Sequence, residues 1–400
     1  MTSVAAPPLY PMPRDRRAPL DPPPALAGMQ RQAPIGRIRL FGGEEAWVVL
    51  GYDACRRVLR SPAFSADFQS PGYPRVHPTL SHFAAGQLNH MDPPEHDVYR
   101  RMLAPEFTVK RIDQLKSAIS DSVEKLIDAM VAAGPGVDMV EALALPVPAL
   151  VTCSLLGVPY DKRDYFVSCV DQFLGGKASP EQVAAGRSSL RGLLREMIRA
   201  KRDNGDEDLL SRVIHEYVET GQLEEEQLVG FAELLLAAGF DTTTNMISLG
   251  TLALLEHPDQ LAVLRSDQTI MSSAVEELLR FLTVPHLGRH RAATEDFEVD
   301  GQLIRAGDGV VVALNIANRD PAQFSDPNTL DLRRENRAHL AMGFGVHSCL
   351  GATLARLELD IVYTALLKRM PNLAVAVPVD QLEFKNDNAV YGLEHLPITW

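Results

Sequence analysis

Cysteine is scarce in this chain, with four residues in 400. A secreted chain held together by disulfides carries a denser cysteine framework, so the count excludes that class and predicts a reducing, cytoplasmic environment. At most one or two of these thiols are expected to act chemically. They are Cys55, Cys153, Cys169 and Cys349.

Long hydrophobic runs are also missing. A helix that spans a bilayer needs roughly 18 consecutive apolar residues, and the best candidate, residues 142–151, is interrupted by Pro146 and Pro148. The amino terminus lacks the apolar stretch of a signal peptide. The sequence therefore predicts a cytoplasmic protein with no membrane partner.

An excess of basic residues is missing too, since 52 acidic and 39 basic residues give a net charge of −13. A protein that binds nucleic acid regardless of sequence needs a positive surface field, so we expect no nucleic-acid partner. What is present is an ordinary composition, 46 % hydrophobic and 23 % charged, that must bury a core. The length permits two or three domains or one large helical unit.

Proline is concentrated at the start of the chain, where residues 1–34 hold nine of the 28 prolines. This density predicts an extended arm without regular helix, with a disordered tail as an equal alternative for residues 1–9. Residues 35–400 show no internal repeat and no inter-domain linker, so we expect a single domain there. A hairpin around Gly42 and Gly43 should open it, with strands at 37–40 and 47–50.

Helical periodicity dominates the middle of the chain. Asp92, before two prolines, is predicted to cap a helix that runs through His96 and Arg100. Apolar residues from Ile112 to Met130 recur every three or four positions. Residues 224–256 contain no proline and predict a helix of about 50 Å. Further helices are expected at 183–202, 209–218, 270–282 and 350–369, and short strands at 297–299, 303–304, 310–313, 373–377, 382–384 and 398–400. The fold class is therefore mainly α with small β-sheets (α+β).

The most informative segment is GFGVHSCLG, residues 343–351. Two glycines let the backbone lie close to a flat object. The thiolate of Cys349, at the start of a helix, is favoured by the helix dipole and by free amides, as a thiolate metal ligand requires. A buried structural cysteine is the commoner role in general. However, this spacing of Gly, His and Cys rarely arises by chance at their frequencies in the chain.

On these residues, and from about Tyr10 to Trp400, the chain resembles the cytochrome P-450 superfamily of haem-thiolate monooxygenases in its soluble actinobacterial form. The resemblance implies the cytochrome P-450 fold, with haem b between the long central helix and the cysteine-loop helix. It implies that Cys349 is the axial ligand of the haem iron, where a thiolate favours O–O cleavage. The other three cysteines match no motif and are expected to be core or surface residues.

A second motif is AGFDTT, residues 238–243, in the middle of the long helix. Consecutive threonines suit a helix poorly, because β-branching restricts χ1 and the hydroxyl competes for a backbone carbonyl. On spacing alone, a satisfied buried polar kink is an equal alternative. The resemblance implies that Thr242 hydrogen-bonds the oxygen at the iron and that Asp241 relays protons to it. Gly239 would let the helix open beside that oxygen.

A third feature is the pair Glu277 and Arg280, three positions apart on one helical face. The pair Glu196 and Arg199 has the same spacing and is interpreted as a solvated surface. Only the later pair lies between the Asp241 helix and the cysteine loop. The resemblance implies that Arg334 joins it in a structural, buried charge network that fixes the cysteine loop.

The resemblance also implies cations for the two haem propionates. His96 with Arg100, then Arg291, then His347 match the family positions in chain order. A single histidine or arginine is more often an ordinary surface residue. The occurrence of all four in the family's order favours a role in binding the propionates. Arg289 is a close neighbour that could be mistaken for Arg291.

The activity implied by the resemblance is dioxygen activation with externally supplied electrons. It would hydroxylate or epoxidise a small organic substrate in natural-product tailoring or xenobiotic oxidation. Two alternatives stay open: oxidative C–C or C–O coupling by the same haem chemistry, and a non-catalytic haem sensor, which would not need Asp241 and Thr242. We expect a monomer.

Electrons should come from ferredoxin and ferredoxin reductase, because the family pattern leaves no segment for a flavin or iron–sulfur module. Basic residues near the cysteine loop predict a docking patch, with a solvated surface as the equal alternative. They are Arg100, Arg101, Lys110, Arg111, Arg333, Arg337 and Arg356. Walls of the substrate pocket are expected from residues 64–88, 165–189, 234–238, 284–287 and 388–394.

One residue departs from the family pattern, since Met342 stands where the family usually has phenylalanine, seven positions before the cysteine. Methionine fills irregular gaps, so the fold and haem binding should survive either residue. We expect Met342→Phe to bind haem normally and to shift its reduction potential, because the side chain that shields the thiolate changes. A redox titration of both proteins checks this, and equal potentials would contradict it.

Overall fold

The computed structural model describes residues 6–76, 86–174, 179–203, 205 and 208–400. These residues form two compact units, which we name by their main elements. The sheet unit comprises the described residues of Met1–His82, Asn89–Glu95 and Glu276–Cys349. The helical unit comprises those of Phe83–Leu88, His96–Val275 and Leu350–Trp400.

The elements confirm the mainly α fold class with small sheets. The α-helices are α1 (Pro24–Gln32), α2 (Tyr52–Arg60), α3 (Glu95–Leu103), α4 (Val109–Ala133), α5 (Pro146–Leu156), α6 (Arg163–Leu174), α7 (Pro180–Asp203), α8 (Leu209–Val213), α9 (Glu225–Glu256), α10 (Pro258–Ser266), α11 (Met271–Leu282), α12 (Leu314–Ala317) and α13 (Ala352–Arg369). The strands are β1 (Ile35–Arg39), β2 (Glu45–Val49), β3 (Phe64–Ser65), β4 (Arg289–Ala293), β5 (Phe297–Val299), β6 (Gln302–Ile304), β7 (Gly309–Val312), β8 (Ala374–Val375) and β9 (Ile398–Thr399).

The sheet unit is built on a five-stranded sheet with the order β1-β2-β7-β4-β3. The predicted hairpin is confirmed as the antiparallel pair β1 and β2. Strand β2 then pairs in parallel with β7, where Val48 lies opposite Val311 and both are fully buried. β-branched residues suit such a buried, pleated surface, which explains why these runs form the centre of the sheet.

Strand β4 was not predicted. Its first three residues are Arg289, His290 and Arg291. Because these side chains are polar, the segment lacks the hydrophobic periodicity by which a strand is predicted. Pairing with β7 from Arg289 opposite Val312 to Ala292 opposite Gly309 imposes the extended conformation. Because side chains alternate along a strand, Arg289 and Arg291 share one face.

The prediction that residues 1–34 contain no regular helix is wrong, because α1 lies within them. Its first residue is Pro24, at a position where the missing N–H leaves no hydrogen bond unmade. Before α1 the arm is extended only beside β1, where Leu9 bridges Arg39, whereas residues 15–21 form turns. The Tyr10 amide donates to the Arg39 carbonyl at 2.8 Å, and the Arg39 amide donates to the Pro8 carbonyl at 2.9 Å.

The predicted capping role of Asp92 is also wrong. Helix α3 begins at Glu95, and the Asp92 carboxylate instead accepts hydrogen bonds from the Ala66 amide at 2.8 Å and from the Ser65 hydroxyl. The Asp92 carboxylate therefore stabilises the end of β3. The helix that it was expected to cap is confirmed through His96 and Arg100.

Two smaller predictions need correction. The helix expected at 209–218 is α-helical only to Val213 and continues as a π-helical turn, Ile214–Val218. The strand expected at 382–384 is reduced to one bridge between Phe384 and Leu393. The neighbouring runs at 373–377 and 398–400 do form strands, β8 and β9, which pair antiparallel.

Long helices form the core of the helical unit. Helix α4 buries Ile112, Ile119, Val123 and Met130, which confirms the predicted stripe. Helix α9 has 32 residues, about 48 Å, and begins at a capping box between Glu224 and Gln227. Within the described ranges, no helix has both the length and the apolarity needed to cross a membrane.

Helices α9 and α13 approach each other at a glycine. The Tyr363 hydroxyl of α13 donates to the Met246 carbonyl of α9 at 2.6 Å. A Cβ atom at Gly250, one turn further along α9, would overlap that hydroxyl. The close approach therefore requires glycine at position 250.

Glu358 in α13 makes stability depend on pH. Its side chain is 3 % exposed, and burial raises its pKa from the ordinary value of 4.5 to about 8. Between these values the folded protein keeps a proton that the unfolded chain releases. The free energy of unfolding therefore falls as pH rises, by up to about 1.4 kcal/mol per pH unit.

We expect Glu358→Gln to flatten this part of the stability curve, because the amide does not titrate. Urea denaturation of both proteins between about pH 5 and pH 8 measures the slope. Glu196→Gln, on an exposed residue, is the control and should keep the wild-type slope. Equal slopes for Glu358→Gln and the wild type would contradict the assignment to Glu358.

Candidate functional site

Cys349 differs from the other cysteines in its exposure. Its thiol is exposed, whereas Cys55, Cys153 and Cys169 are buried, as expected for residues without a motif. The Cys349 amide donates to the Met342 carbonyl at 2.8 Å, which closes the loop of residues 342–349. A thiol at the end of such a closed loop can be presented to a metal in one fixed direction.

Two glycines shape this loop. Gly343 and Gly345 both have φ of +73°, in the left-handed region that glycine adopts without strain. At Gly345 a Cβ atom would also collide with the Leu59 carbonyl at 2.6 Å. His347 closes a short 3₁₀ turn, Gly345–His347, and is half-buried.

Strand β4 presents two guanidinium groups on one face. Arg291 is buried, and this burial lowers its pKa to about 10. Arg289 remains exposed to solvent, yet the protein atoms crowded around it lower its pKa, an effect that the nearby Cys349 opposes. Sequence reasoning set Arg289 aside in favour of Arg291, and the strand brings both to the same surface.

Three titratable neighbours of these guanidinium groups, His90, His290 and Tyr73, are neutral near pH 7, whereas the Asp92 carboxylate favours the charged form of Arg291. Burial lowers the pKa of His90 to about 3 and that of His290 to about 4. Burial also raises the pKa of Tyr73 to about 12. The positive charges in this part of the sheet unit are therefore those of Arg289 and Arg291, and guanidinium groups are donors that suit carboxylates.

In the helical unit, α3 carries His96 and Arg100 one turn apart, on the same side of the helix. His96 is 1 % exposed, and its Nδ1 lies 2.9 Å from the Asp97 carboxylate. Arg100 is half-buried.

Two of the three consecutive threonines of α9 use their hydroxyls within the helix. The Thr242 hydroxyl donates to the Ala238 carbonyl at 2.7 Å, and the Thr244 hydroxyl donates to the Phe240 carbonyl at 2.9 Å. Helix α9 continues through Gly239 without interruption. With its proton committed to Ala238, the Thr242 oxygen is left to accept a hydrogen bond.

Asp241 has a partner that sequence reasoning missed. The Asn245 side chain donates to Asp241 Oδ1 and to the Asp241 carbonyl, both at 2.8 Å. Asn245 is fully buried, and its amide oxygen lies against Gly392. The spacing of four residues on a predicted helix was the available signal.

The structure brings Glu277, Arg280 and Arg334 together in the sheet unit. Glu277 accepts from Arg280 Nε at 2.7 Å and from Arg334 Nε at 3.0 Å. All three are buried, with exposures of 3 %, 1 % and 8 %. Arg280 Nη2 also donates to Glu277 at 2.8 Å, and other guanidinium donors reach backbone carbonyls, for example Asn318 at 2.8 Å from Arg280 and Ser325 at 2.7 Å from Arg334.

The pair with the same spacing, Glu196 and Arg199, has different surroundings. The Glu196 side chain is 69 % exposed and pairs with Lys162 at 3.2 Å. Arg199 pairs with Glu225 at 3.6 Å. The two residues lie on the solvated surface that was predicted for them.

The site residues are thus divided between the units. The sheet unit holds Arg291, His347, Cys349 and the Glu277 trio, and the helical unit holds His96, Arg100, Asp241 and Thr242. Of the segments expected to line the substrate pocket, residues 77–85 and 175–178 lie outside the described residues.

Comparisons with known proteins agree with one another. Residues 181–371 match the family model described as cytochrome P-450. The chain is 44 % identical over 404 residues to pentalenic acid synthase of Streptomyces avermitilis, covering 100 % of this chain and 99 % of that protein. It is 40 % identical over 391 residues to vitamin D3 dihydroxylase of Streptomyces griseolus, covering 97 % and 96 %. The crystal structure of GfsF is similar with a TM-score of 0.93 at 41 % identity, covering 98 % and 100 %.

The two Glu/Arg pairs of equal spacing allow a matched test. Glu277→Ala leaves two buried guanidinium groups without their counter-charge, and we expect it to lower the free energy of unfolding by about 3–5 kcal/mol. Glu196→Ala, on the exposed surface, should cost less than about 0.5 kcal/mol. Urea denaturation of the three proteins measures both values. Losses of similar size would contradict a structural role for the buried network.

Proposed function

The chain belongs to the cytochrome P-450 family and is a monooxygenase of that family; on this premise we propose that it hydroxylates or epoxidises a small organic substrate in natural-product tailoring or xenobiotic oxidation. Pentalenic acid synthase and vitamin D3 dihydroxylase support this substrate class. A dihydroxylase among the relatives favours hydroxylation over oxidative coupling.

Cys349 would hold haem b through its thiolate. The exposure of its thiol and the closed loop between Met342 and Cys349 support this role. Gly343 and Gly345 adopt left-handed backbone conformations and have no side chains, so a flat group can approach the loop closely. When bound, the haem supplies reductive activation of dioxygen, which the thiolate promotes.

His96, Arg100, Arg291 and His347 would bind the haem propionates. The donor set fits two carboxylates, because Arg291 is a buried cation beside imidazoles that are neutral near pH 7. Burial increases the strength of a charge-assisted hydrogen bond from such a guanidinium group.

Asp241 and Thr242 would act as the catalytic residues, and their geometry is the observation that carries the monooxygenase proposal. The Thr242 oxygen is free to accept a hydrogen bond, since its own proton goes to the Ala238 carbonyl. The Asp241 carboxylate, oriented by Asn245, can take a proton from solvent and release it beside Thr242. A haem sensor without turnover would have no use for this pair.

Ferredoxin and ferredoxin reductase would supply the electrons, and the protein would act as a cytoplasmic monomer. Arg101, Lys110, Arg333 and Arg337 are exposed. Exposed cations of this kind steer an acidic partner towards its docking surface.

Thr242→Ala tests the proposal. The variant keeps Cys349, so its reduced, carbon-monoxide-bound spectrum should show the same red-shifted thiolate band as the wild type. Product formed per pair of electrons should fall by about ten-fold or more, because positioned proton transfer is lost, and peroxide should rise. Assays use ferredoxin, its reductase and a compound that a haem spin-state screen identifies as bound.

Thr251→Ala is the matched control. Its hydroxyl donates to the Ile247 carbonyl at 2.9 Å in the same helix, with the same geometry as Thr242. It should couple electrons to product like the wild type. Absence of the thiolate band in folded, haem-loaded wild-type protein would overturn the role of Cys349. Unchanged coupling in Thr242→Ala would overturn the role of Thr242.

A further inference from the structure

The loop that ends at Cys349 begins at two amides held by side chains. Met342, whose carbonyl accepts the Cys349 amide, follows directly after Leu340 and Ala341. The Leu340 amide donates to Asn318 Oδ1 at 2.7 Å. The Ala341 amide donates to His339 Nδ1 at 3.2 Å. Both acceptors belong to the sheet unit, as does Cys349.

His339 connects this loop to helix α11. Its side chain is 2 % exposed, and its Nε2 lies 2.9 Å from Glu276 Oε2 on α11. Because Nδ1 accepts a hydrogen bond from Ala341, the proton of a neutral ring is on Nε2 and is donated to Glu276. The ring thus links α11 to the Ala341 amide through two hydrogen bonds.

Asn318 makes a second connection to the same helix. It is fully buried, and its Nδ2 donates to the Thr283 hydroxyl at 2.8 Å, one residue beyond the end of α11. Its carbonyl also accepts a hydrogen bond from Arg280 Nη1 at 2.8 Å. The buried Glu277 network therefore reaches the Leu340 amide through Asn318.

We propose that Asn318 and His339 are positioning residues for Cys349. They fix the Leu340 and Ala341 amides relative to α11, which fixes Met342 and, through its carbonyl, the amide of Cys349. The inference rests on the proposed role of Cys349 as haem ligand. Neither side chain contacts the reacting atoms, and each acts on the thiolate only through the backbone of the loop.

Amide variants separate the two connections of His339. In His339→Asn the short side chain offers an oxygen near the position of Nδ1, so it keeps an acceptor for Ala341 and loses Glu276. In His339→Gln the longer side chain keeps a donor near the position of Nε2 and loses the acceptor for Ala341. Asn318→Ala removes the other connection.

The readout is the rate at which the thiolate-type carbon-monoxide band of the reduced protein converts to the form without thiolate ligation. We expect His339→Gln and Asn318→Ala to convert about five-fold faster than the wild type, the factor that corresponds to one net hydrogen bond of about 1 kcal/mol. His339→Asn should restore most of the wild-type rate, and the variants should also shift the reduction potential.

His215→Ala and Asn386→Ala are the matched controls. His215 lies 2.9 Å from the Glu219 carboxylate but is 48 % exposed, and Asn386 is an exposed amide whose side chain donates to the Phe384 carbonyl at 3.2 Å. Both should convert at the wild-type rate. If Asn318→Ala yields no folded protein, Thr283→Val removes the hydroxyl that accepts from Asn318 at nearly constant volume, and the same acceleration is expected.

Two results would overturn the inference, and they are distinguishable. If the wild type shows the thiolate band and His339→Gln and Asn318→Ala convert at its rate, the positioning roles are wrong and the role of Cys349 stands. If the haem-loaded wild type shows no thiolate band, the role of Cys349 and the inference fall together.

Discussion

The surroundings of Cys349 in the sheet unit depend on one buried carboxylate. Glu277 accepts hydrogen bonds from Arg280, Arg334 and the Asp331 amide, so one negative and two positive charges share a buried site. Burying such charges is costly unless every donor and acceptor is used. Backbone carbonyls of residues 318–329 take the remaining guanidinium donors. The requirement to satisfy both arginines therefore fixes the course of these loops.

Much of this fold could be predicted from the sequence, because its long helices have strong periodicity. Helices α4, α9 and α13 and the β1–β2 hairpin were found within a few residues. Strand β4 was missed because its polar residues become extended only by pairing with β7. Helix α1 and the contacts of Asp92 were misjudged for a related reason. Sequence rules for proline and for helix caps consider only neighbouring residues. They do not consider the hydrogen-bond partners that the tertiary structure brings close.

The candidate site divides in the same way. The motifs predicted Cys349, Asp241 and Thr242 from residue type and spacing, whereas the Glu277 trio was predicted from chain order, because Glu196 and Arg199 share its spacing. Asn318 and His339 carry no such pattern, and the bond from Asn318 to the Leu340 amide spans 22 residues of chain. The proposed roles of Asn318 and His339 depend on contacts that only the folded chain creates. The roles predicted for the motif residues follow from the chemistry of their side chains.

The crossing of α9 and α13 constrains how this chain can vary. Gly250 leaves room for the Tyr363 hydroxyl, which in turn donates to the Met246 carbonyl. A larger residue at position 250 therefore requires a smaller one at 363 if the helices are to keep this distance. In related chains that keep this helix crossing, substitutions at 250 and 363 should covary, although 113 positions separate them in sequence.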